Sequence, residues 1–321
     1  MDLDRMLEKC HTQQWSVGDL DWSRRPRDLS RDDERAIVQY FTDMAGIERL
    51  AGALFEHQRR HAETDTLREI FRTCVVDEVR HAHAAQMLAD FYDVHKLGNY
   101  QLSPSLQAFR PHFVEAVKHL SPGIANTYIT GGELILDVAL LRSINDYVDD
   151  DMSHEAMRLI NRDESRHIAM DYFMTEYYCS RPYLQRQKMS PRRTYAQHVK
   201  ASIAFSGVLL TARPFFEDVF FTPMSRVDPG GRRLKEAFKR LQLLGEKDEV
   251  AKMPFARFMR TLQDAFNHPV TGRLFGPVLL RLMGTNPELA VQLYSDEEAQ
   301  RTKRMSFDEL ASEALSAKAL H

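Results

Sequence analysis

The five-residue string Asp-Glu-x-Arg-His occurs twice in this chain, as Asp77-Glu78-Val79-Arg80-His81 and as Asp163-Glu164-Ser165-Arg166-His167. Another glutamate precedes each copy at nearly the same distance. Glu48 lies 30 residues before Glu78, and Glu133 lies 31 before Glu164. Residues i and i+3 of a helix share a face, so each Glu-x-x-His presents a carboxylate beside an imidazole. Two such helices, with one glutamate from each of two more, supply the ligands of a carboxylate-bridged pair of metal ions inside a helical assembly.

The apolar spacing supports four helices carrying these residues. From a start at Ser30, the positions Ile37, Phe41, Met44, Ile47, Ala51 and Leu54 keep helical period, and Glu48 falls on that apolar face. A second helix is expected over 65–95, with Cys74, Glu78, His81, Ala85 and Leu88 on its inner stripe. The link between these two is short, so they run antiparallel. Residues 96–121 form a longer connection with room for one short helix. Ser121-Pro122 opens a third helix through Val148, its inner face reading Ile129, Glu133, Leu136, Leu140 and Ile144. After the acidic break Asp149-Asp150-Asp151, a fourth is expected from Ser153 to Tyr178, showing Met157, Ile160, Glu164, His167, Asp171 and Met174.

The fold expected is therefore all-α: a four-helix bundle over 30–180 with a helical C-terminal extension over 181–321, packed as one structural domain. Extension helices are expected over 192–221, 231–246, 255–266, 270–283 and 306–319. Residues 1–29 read as polar and irregular, with Trp15 and Trp22 as anchors onto the body.

Four carboxylates aimed into one core cannot stay ionised unless positive charge meets them. A pair of divalent cations supplies it. Four carboxylates with two imidazoles are richer in oxygen than zinc's usual set and softer than an all-oxygen calcium or magnesium cage. Two iron ions fit best, with manganese possible at one position. The repeat pairs Glu48 with His81 on one metal and Glu133 with His167 on the other, with Glu78 and Glu164 as bridges. A metal-bound imidazole usually donates its other N–H to a carboxylate. Asp77 and Asp163, one position off the ligand row, are each expected to serve the histidine of the opposite helix. Arg80 and Arg166 are expected to point away and tether the exterior.

The chain has 321 residues, 43% of them hydrophobic, 28% charged, and a net charge of −3. That balance gives no case for nucleic acid as a partner. The N-terminus has acids where a secretory leader has bases, and the best apolar run, Ala201–Ala212, is short for a membrane span. Three scattered cysteines, Cys10, Cys74 and Cys179, read as reduced thiols in a cytoplasm. No membrane partner is expected.

The arrangement Glu, Asp-Glu-x-x-His, Glu, Asp-Glu-x-x-His resembles the ferritin-like di-iron carboxylate superfamily over residues 30–180. Bacterial multicomponent monooxygenases, acyl-carrier-protein desaturases, the ribonucleotide reductase small subunit and p-aminobenzoate N-oxygenases belong to it. The N-oxygenases are similar in the first Glu-x-x-His, within Val75-Val76-Asp77-Glu78, and in the gap before the last motif. Their further histidine one turn before the final glutamate is Ile160 here. The reductase subunit's radical tyrosine, one turn after the first histidine, is Ala85 here, so the resemblance implies no stored radical at that place. The ligand-bound oxidases of that group carry a tyrosine five residues before the third-helix glutamate, and Tyr128 stands there. Aldehyde-deformylating oxygenases show similar gaps in shorter chains.

The resemblance implies an oxidase or oxygenase that uses O2 on a small organic substrate, in the N-oxygenation or C–H hydroxylation class. The alternatives are a Mn/Fe or di-iron ligand-bound oxidase and a ferroxidase or iron-handling protein. No Gly-x-Gly-x-x-Gly fingerprint occurs, so an external electron donor, a ferredoxin or reductase, is expected. A homodimer is compatible with this class. Gly131-Gly132 would loosen the third helix beside Glu133, and Phe215, Phe216, Phe220 and Phe221 line a pocket or form core. Arg213, Arg232 and Arg233 read as surface charge or as holders of an acidic substrate.

Overall fold

The computed structural model describes residues 1–191, 193–272 and 287–317, and every regular element among them is helical. The helix expected over 270–283 lies outside the described residues from 273 onward. The first two long helices are α2 (Arg31–His61) and α3 (Asp65–Tyr92). Ser30 Oγ accepts the Asp33 amide and Thr64 Oγ1 accepts the Leu67 amide, satisfying a free donor at each start. In α2, acids fill the first turn and Arg59, Arg60 and His61 the last, matching the helix dipole. Only Ala62, Glu63 and Thr64 separate the two helices, so they pack side by side and antiparallel along their length.

The third helix is not continuous. It runs as α5 (Pro122–Ile135), widens into a π-helical stretch over Leu136–Leu140, and resumes as α6 (Leu141–Val148). It ends on Asp149 in the left-handed region at φ 45°, a conformation aspartate tolerates better than most residues. The fourth helix, α7 (Asp151–Cys179), starts two residues before the expected Ser153. The acidic break is a cap: the Asp150 side chain accepts the Met152 amide at 2.9 Å. Ser153 is buried and donates to Asn145 Oδ1 instead. Contacts of α2 with α5 and of α3 with α7 close a ring with the α2–α3 and α5–α7 pairs. The six chemistry-bearing side chains face its interior.

Before this ring, the expectation of irregular structure over 1–29 is corrected. Residues Leu3–Thr12 form a helix, α1, capped by Asp2, with Met6 and Cys10 buried one turn apart against α3. Trp15 and Trp22 both anchor the segment that follows; Trp22 Nε1 donates to the Val17 carbonyl and its ring meets Phe91 edge-on. The connection after α3 holds one helix, α4 (Pro104–Val117).

Beyond α7 come α8 (Arg181–Met189) and α9 (Tyr195–Phe215), which widens into a second π-helical stretch at Phe216–Phe221 and ends in α10 (Thr222–Ser225). Then follow α11 (Arg232–Gly245), α12 (Pro254–Asn267), α13 (Pro287–Ala290), α14 (Asp296–Arg304) and α15 (Phe307–Ala317). Helices α8, α13 and α14 were not anticipated; α15 covers α7, α11 covers α5, and α9 lies on α4. Phe215 and Phe220 are core: Phe215 stacks on Phe109 of α4 at 4.2 Å. Arg213 and Arg233 pair with Glu217 and Asp146.

Two helical stretches, Pro122–Val148 and Tyr195–Ser225, are long and apolar enough to cross a membrane by length and composition. The helix around Ala201–Ala212 is thus longer than the apolar run alone implied. The most apolar window of the first stretch is 67% buried and that of the second 22%.

Candidate metal centre

Glu48 on α2, Glu78 and His81 on α3, Glu133 on α5, and Glu164 and His167 on α7 are all buried, in one place. They form two overlapping groups, Glu48–Glu78–His81–Glu164 and Glu78–Glu133–Glu164–His167, within each of which the donor atoms lie within 4.8 Å of one another. Glu78 and Glu164 belong to both, and these are the two residues expected to bridge. Glu164 spans the site: Oε1 lies 3.0 Å from His81 Nδ1 and Oε2 lies 3.0 Å from His167 Nδ1. His167 Nδ1 is also 3.2 Å from Glu78 Oε1. Helix α2 can approach because Gly52 faces Glu78; a methyl there would sit 3.3 Å from Glu78 Cβ.

The electrostatics of this cluster are unbalanced in the protein alone. Both oxygens of Glu48 and of Glu78, Oε2 of Glu133 and Oε1 of Glu164 are buried and accept no hydrogen bond among the described residues; Glu78 Oε1 and Glu164 Oε1 have only the ion-pair contacts with His167 and His81 given above. Burial, and then the neighbouring carboxylates, push Glu48, Glu78 and Glu133 above the ordinary carboxylate range. Burial acts the same way on Glu164, but the flanking histidines and Glu133 overcome it and hold that group ionised. His81 is pushed up to about 10: burial opposes its charge, and Asp163 and Glu164 outweigh burial. Orphaned acceptors this deep cost several kcal/mol each unless a cation satisfies them. The donor set, the shared pair and the orphaned oxygens therefore fit metal binding; the groups can hold a metal ion.

A second layer lies behind the histidines. His81 Nε2 is 3.2 Å from Asp163 Oδ2 and His167 Nε2 is 3.3 Å from Asp77 Oδ2, so each aspartate reaches across to the other motif. This leaves Nδ1 of each ring toward the glutamates. Arg80 and Arg166 do not tether the exterior as expected. Their side chains are 9% and 5% exposed, and each guanidinium bridges Asp77 and Asp163. Spacing explains it: an arginine three residues after a buried aspartate follows it onto the same face. Two acids and two bases make a layer of zero net charge. Burial opposes ionisation of both aspartates, yet the histidines and arginines hold them below the usual range.

The N-terminal segment closes this layer. Trp15 Nε1 donates to Asp163 Oδ2 at 2.7 Å, and its ring stacks on His81 and lies 5.2 Å from the Arg80 guanidinium. Gln14 Oε1 accepts from Arg80 and Gln13 Oε1 from Arg166. Gln13 and Gln14 were missed and Trp15 was read only as an anchor, because nothing local marks them for the site; only the fold brings them there.

Two further acids were not singled out as site residues. Asp171, one turn after His167, is fully buried with both carboxylate oxygens lacking a donor among the described residues. Burial pushes it well above the carboxylate range, and Glu164 and Glu78 add to the effect while His167 opposes it. Asp137, one turn after Glu133, is also buried, on the π-helical stretch. Tyr128 is not among the gathered residues. It is half-buried against an apolar cluster that includes Ile129, Met170 and Met174, and burial pushes its hydroxyl up to about 12. Ala85 and Ile160 are buried among apolar side chains. Around Gly132 an added methyl would meet nothing within 4 Å, and at Gly131 it would make ordinary contact with Leu241, so neither glycine is required by packing.

No family model, no curated protein and no solved structure matches this chain, and the functional reading rests on the residues themselves.

Proposed function

We propose that α2, α3, α5–α6 and α7 form a ferritin-like bundle holding two iron ions, with manganese possible at one position, and that the chain is a non-haem di-iron oxidase or oxygenase. It would oxidise a small organic substrate with O2, in the N-oxygenation or C–H hydroxylation class, drawing electrons from an external ferredoxin or reductase. The observation that carries this reading is the set of orphaned carboxylate oxygens on four buried glutamates, arranged with two histidines as two groups sharing Glu78 and Glu164.

Charge supports it. The Asp77, Asp163, Arg80 and Arg166 layer is already neutral, so in the metal-free protein only protonation, of His81 and His167 and of the glutamates themselves, offsets the four carboxylates, and two divalent cations would match their charge once those protons leave. Glu48 and His81 would hold one ion, Glu133 and His167 the other, with Glu78 and Glu164 across both. When bound, the pair supplies two-electron reduction of O2. The protein's own work is positional. Asp163 and Asp77 accept the Nε2 protons and fix each ring with Nδ1 inward. Trp15, Gln13 and Gln14 roof that layer against water.

Anaerobic titration of the metal-free protein with ferrous iron tests the reading. Uptake should stop at two ions per chain, and mixing the loaded protein with O2 should give a transient visible absorption. Uptake continuing far beyond two would identify iron storage instead, and no uptake would end the metal reading.

A further inference from the structure

Helix α9 is inverted relative to a water-facing helix. The side turned to α4 carries small residues, Ala204, Gly207 and Val208. Large apolar side chains face outward: Tyr195 is 85% exposed, Ile203 69% and Leu210 77%, with Val199, Phe205 and Leu209 exposed beside them. Positions 195, 199, 203, 206 and 210 recur at three- and four-residue steps, so the exposed residues form one continuous face. Contiguous exposed apolar surface of this extent marks an interaction site.

Charge indicates the partner. From residue 177 to 216 the chain has no aspartate or glutamate and seven arginines and lysines, although the whole chain is net negative at −3. Arg186 and Arg213 pair with Glu63 and Glu217. Arg181, Lys188, Arg193 and Lys200 are exposed along this stretch, Arg193 while donating to the His119 carbonyl just after α4. Basic residues flanking a helix with exposed large apolar side chains are the features that hold a helix flat on an anionic bilayer. The inner face of α9 packs on α4 and the exposed Ser206 interrupts the outer one, so the helix would lie on the surface rather than cross it.

We propose that the α8–α9 face docks on an anionic lipid surface, independently of the metal reading. The full-length protein should sediment with vesicles of equal parts phosphatidylcholine and phosphatidylglycerol, and not with phosphatidylcholine alone. Each basic residue near such a surface strengthens binding roughly fivefold, so Lys188→Gln with Arg193→Gln should weaken it about thirtyfold. Ile203→Glu with Leu210→Glu should abolish it while leaving the far-ultraviolet spectrum and melting transition in place. Absence of sedimentation with either vesicle overturns the proposal. So does sedimentation unaffected by the two glutamates, which would reduce the effect to charge alone. Self-association in lipid-free solution, lost in the double-glutamate variant and without vesicle binding, would assign the face to a second copy. An unreactive thiol in lipid-free Ile203→Cys would mean that the chain covers the face itself; either result overturns lipid docking.

Discussion

The two halves of the site carry the same ligands on different backbones. Glu48, Glu78 and His81 sit on α2 and α3, two unbroken helices. Glu133 sits on α5, which gives way to the π-helical stretch three residues later, at Leu136. The positions one turn beyond the ligands also differ. Gly52 follows Glu48 and Ala85 follows His81, whereas Asp137 follows Glu133 and Asp171 follows His167. Thus one half is small and apolar behind its ligands, and the other holds two more buried acids beside a widened turn. Wide turns of this kind concentrate at functional sites because they re-aim side chains and loosen a helix. The duplicated ligands account for holding the ions; the departures from the duplication make the α5–α7 half the more adaptable side.

The largest expected effects test the sharing of Glu78 and Glu164 between halves. Glu164→Ala or Glu78→Ala should reduce bound metal from two ions per chain to none, by elemental analysis after ferrous loading. Glu48→Ala and Glu133→Ala should each leave one. Equal losses in all four variants would break the distinction between shared and private ligands. Next in size is the buried layer that joins the halves. Arg166→Met or Arg80→Met leaves two aspartates short of positive charge, and removing one partner of a buried pair costs about 3–5 kcal/mol. Chemical denaturation should show losses of that order for each. A loss confined to Arg166 would mean that the Trp15 roof substitutes for Arg80.

How these features were written into the chain differs from residue to residue. The ligand rows were readable because helical period places Glu48, Glu78, Glu133 and Glu164 on apolar faces, and local chemistry at Ser30 and Ser121 marks two of the starts. The burial of Arg80 and Arg166 was only partly readable: three-residue spacing puts each beside its aspartate, but nothing local shows what covers them. Their row is one position off the ligands, and it is buried only because Gln13, Gln14 and Trp15 arrive from about 150 residues away in sequence for Arg166 and 66 for Arg80. The π-helical stretch left no trace, since Leu136–Leu140 keeps an apolar pattern that a regular helix would also show. Asp171 was visible on the inner stripe of the fourth helix, but its isolation from any donor is a property of packing.

Asp171 gives the next test. A fully buried carboxyl group without a donor costs roughly 1–3 kcal/mol relative to an apolar side chain. Asp171→Ala, which copies Ala85 of the other half, should raise the stability of the metal-free protein by about 2 kcal/mol and leave two ions bound. Loss of an ion would make Asp171 a ligand and deepen the asymmetry. The pH dependence of loading is comparable in size. His81, pushed up to about 10, carries a proton at neutral pH in the metal-free protein, and burial beside other carboxylates makes Glu48 and Glu133 hold theirs to higher pH than an ordinary carboxylate. A cation must displace those protons, so affinity should rise with pH, by up to about tenfold per unit for each proton released. Calorimetry in buffers of different ionisation heat counts the protons, and a count of zero would contradict the charge balance argued above.

The smallest effects should have opposite signs in the two halves. Alanine is the better helix former than glycine by roughly 0.5–1 kcal/mol. At Gly132 the new methyl meets nothing within 4 Å, so Gly132→Ala should gain about that amount. At Gly52 the methyl would lie 3.3 Å from Glu78 Cβ. That atom is fixed to the α3 backbone and cannot swing aside, so the two helices must part. Gly52→Ala should therefore lose about 1 kcal/mol despite the better propensity, and weaken metal binding through the displaced Glu78. Thermal melts of the pair read both signs directly. A gain at both positions would mean that α2 and α3 are as yielding as α5, and the contrast between a rigid and an adaptable half would fail.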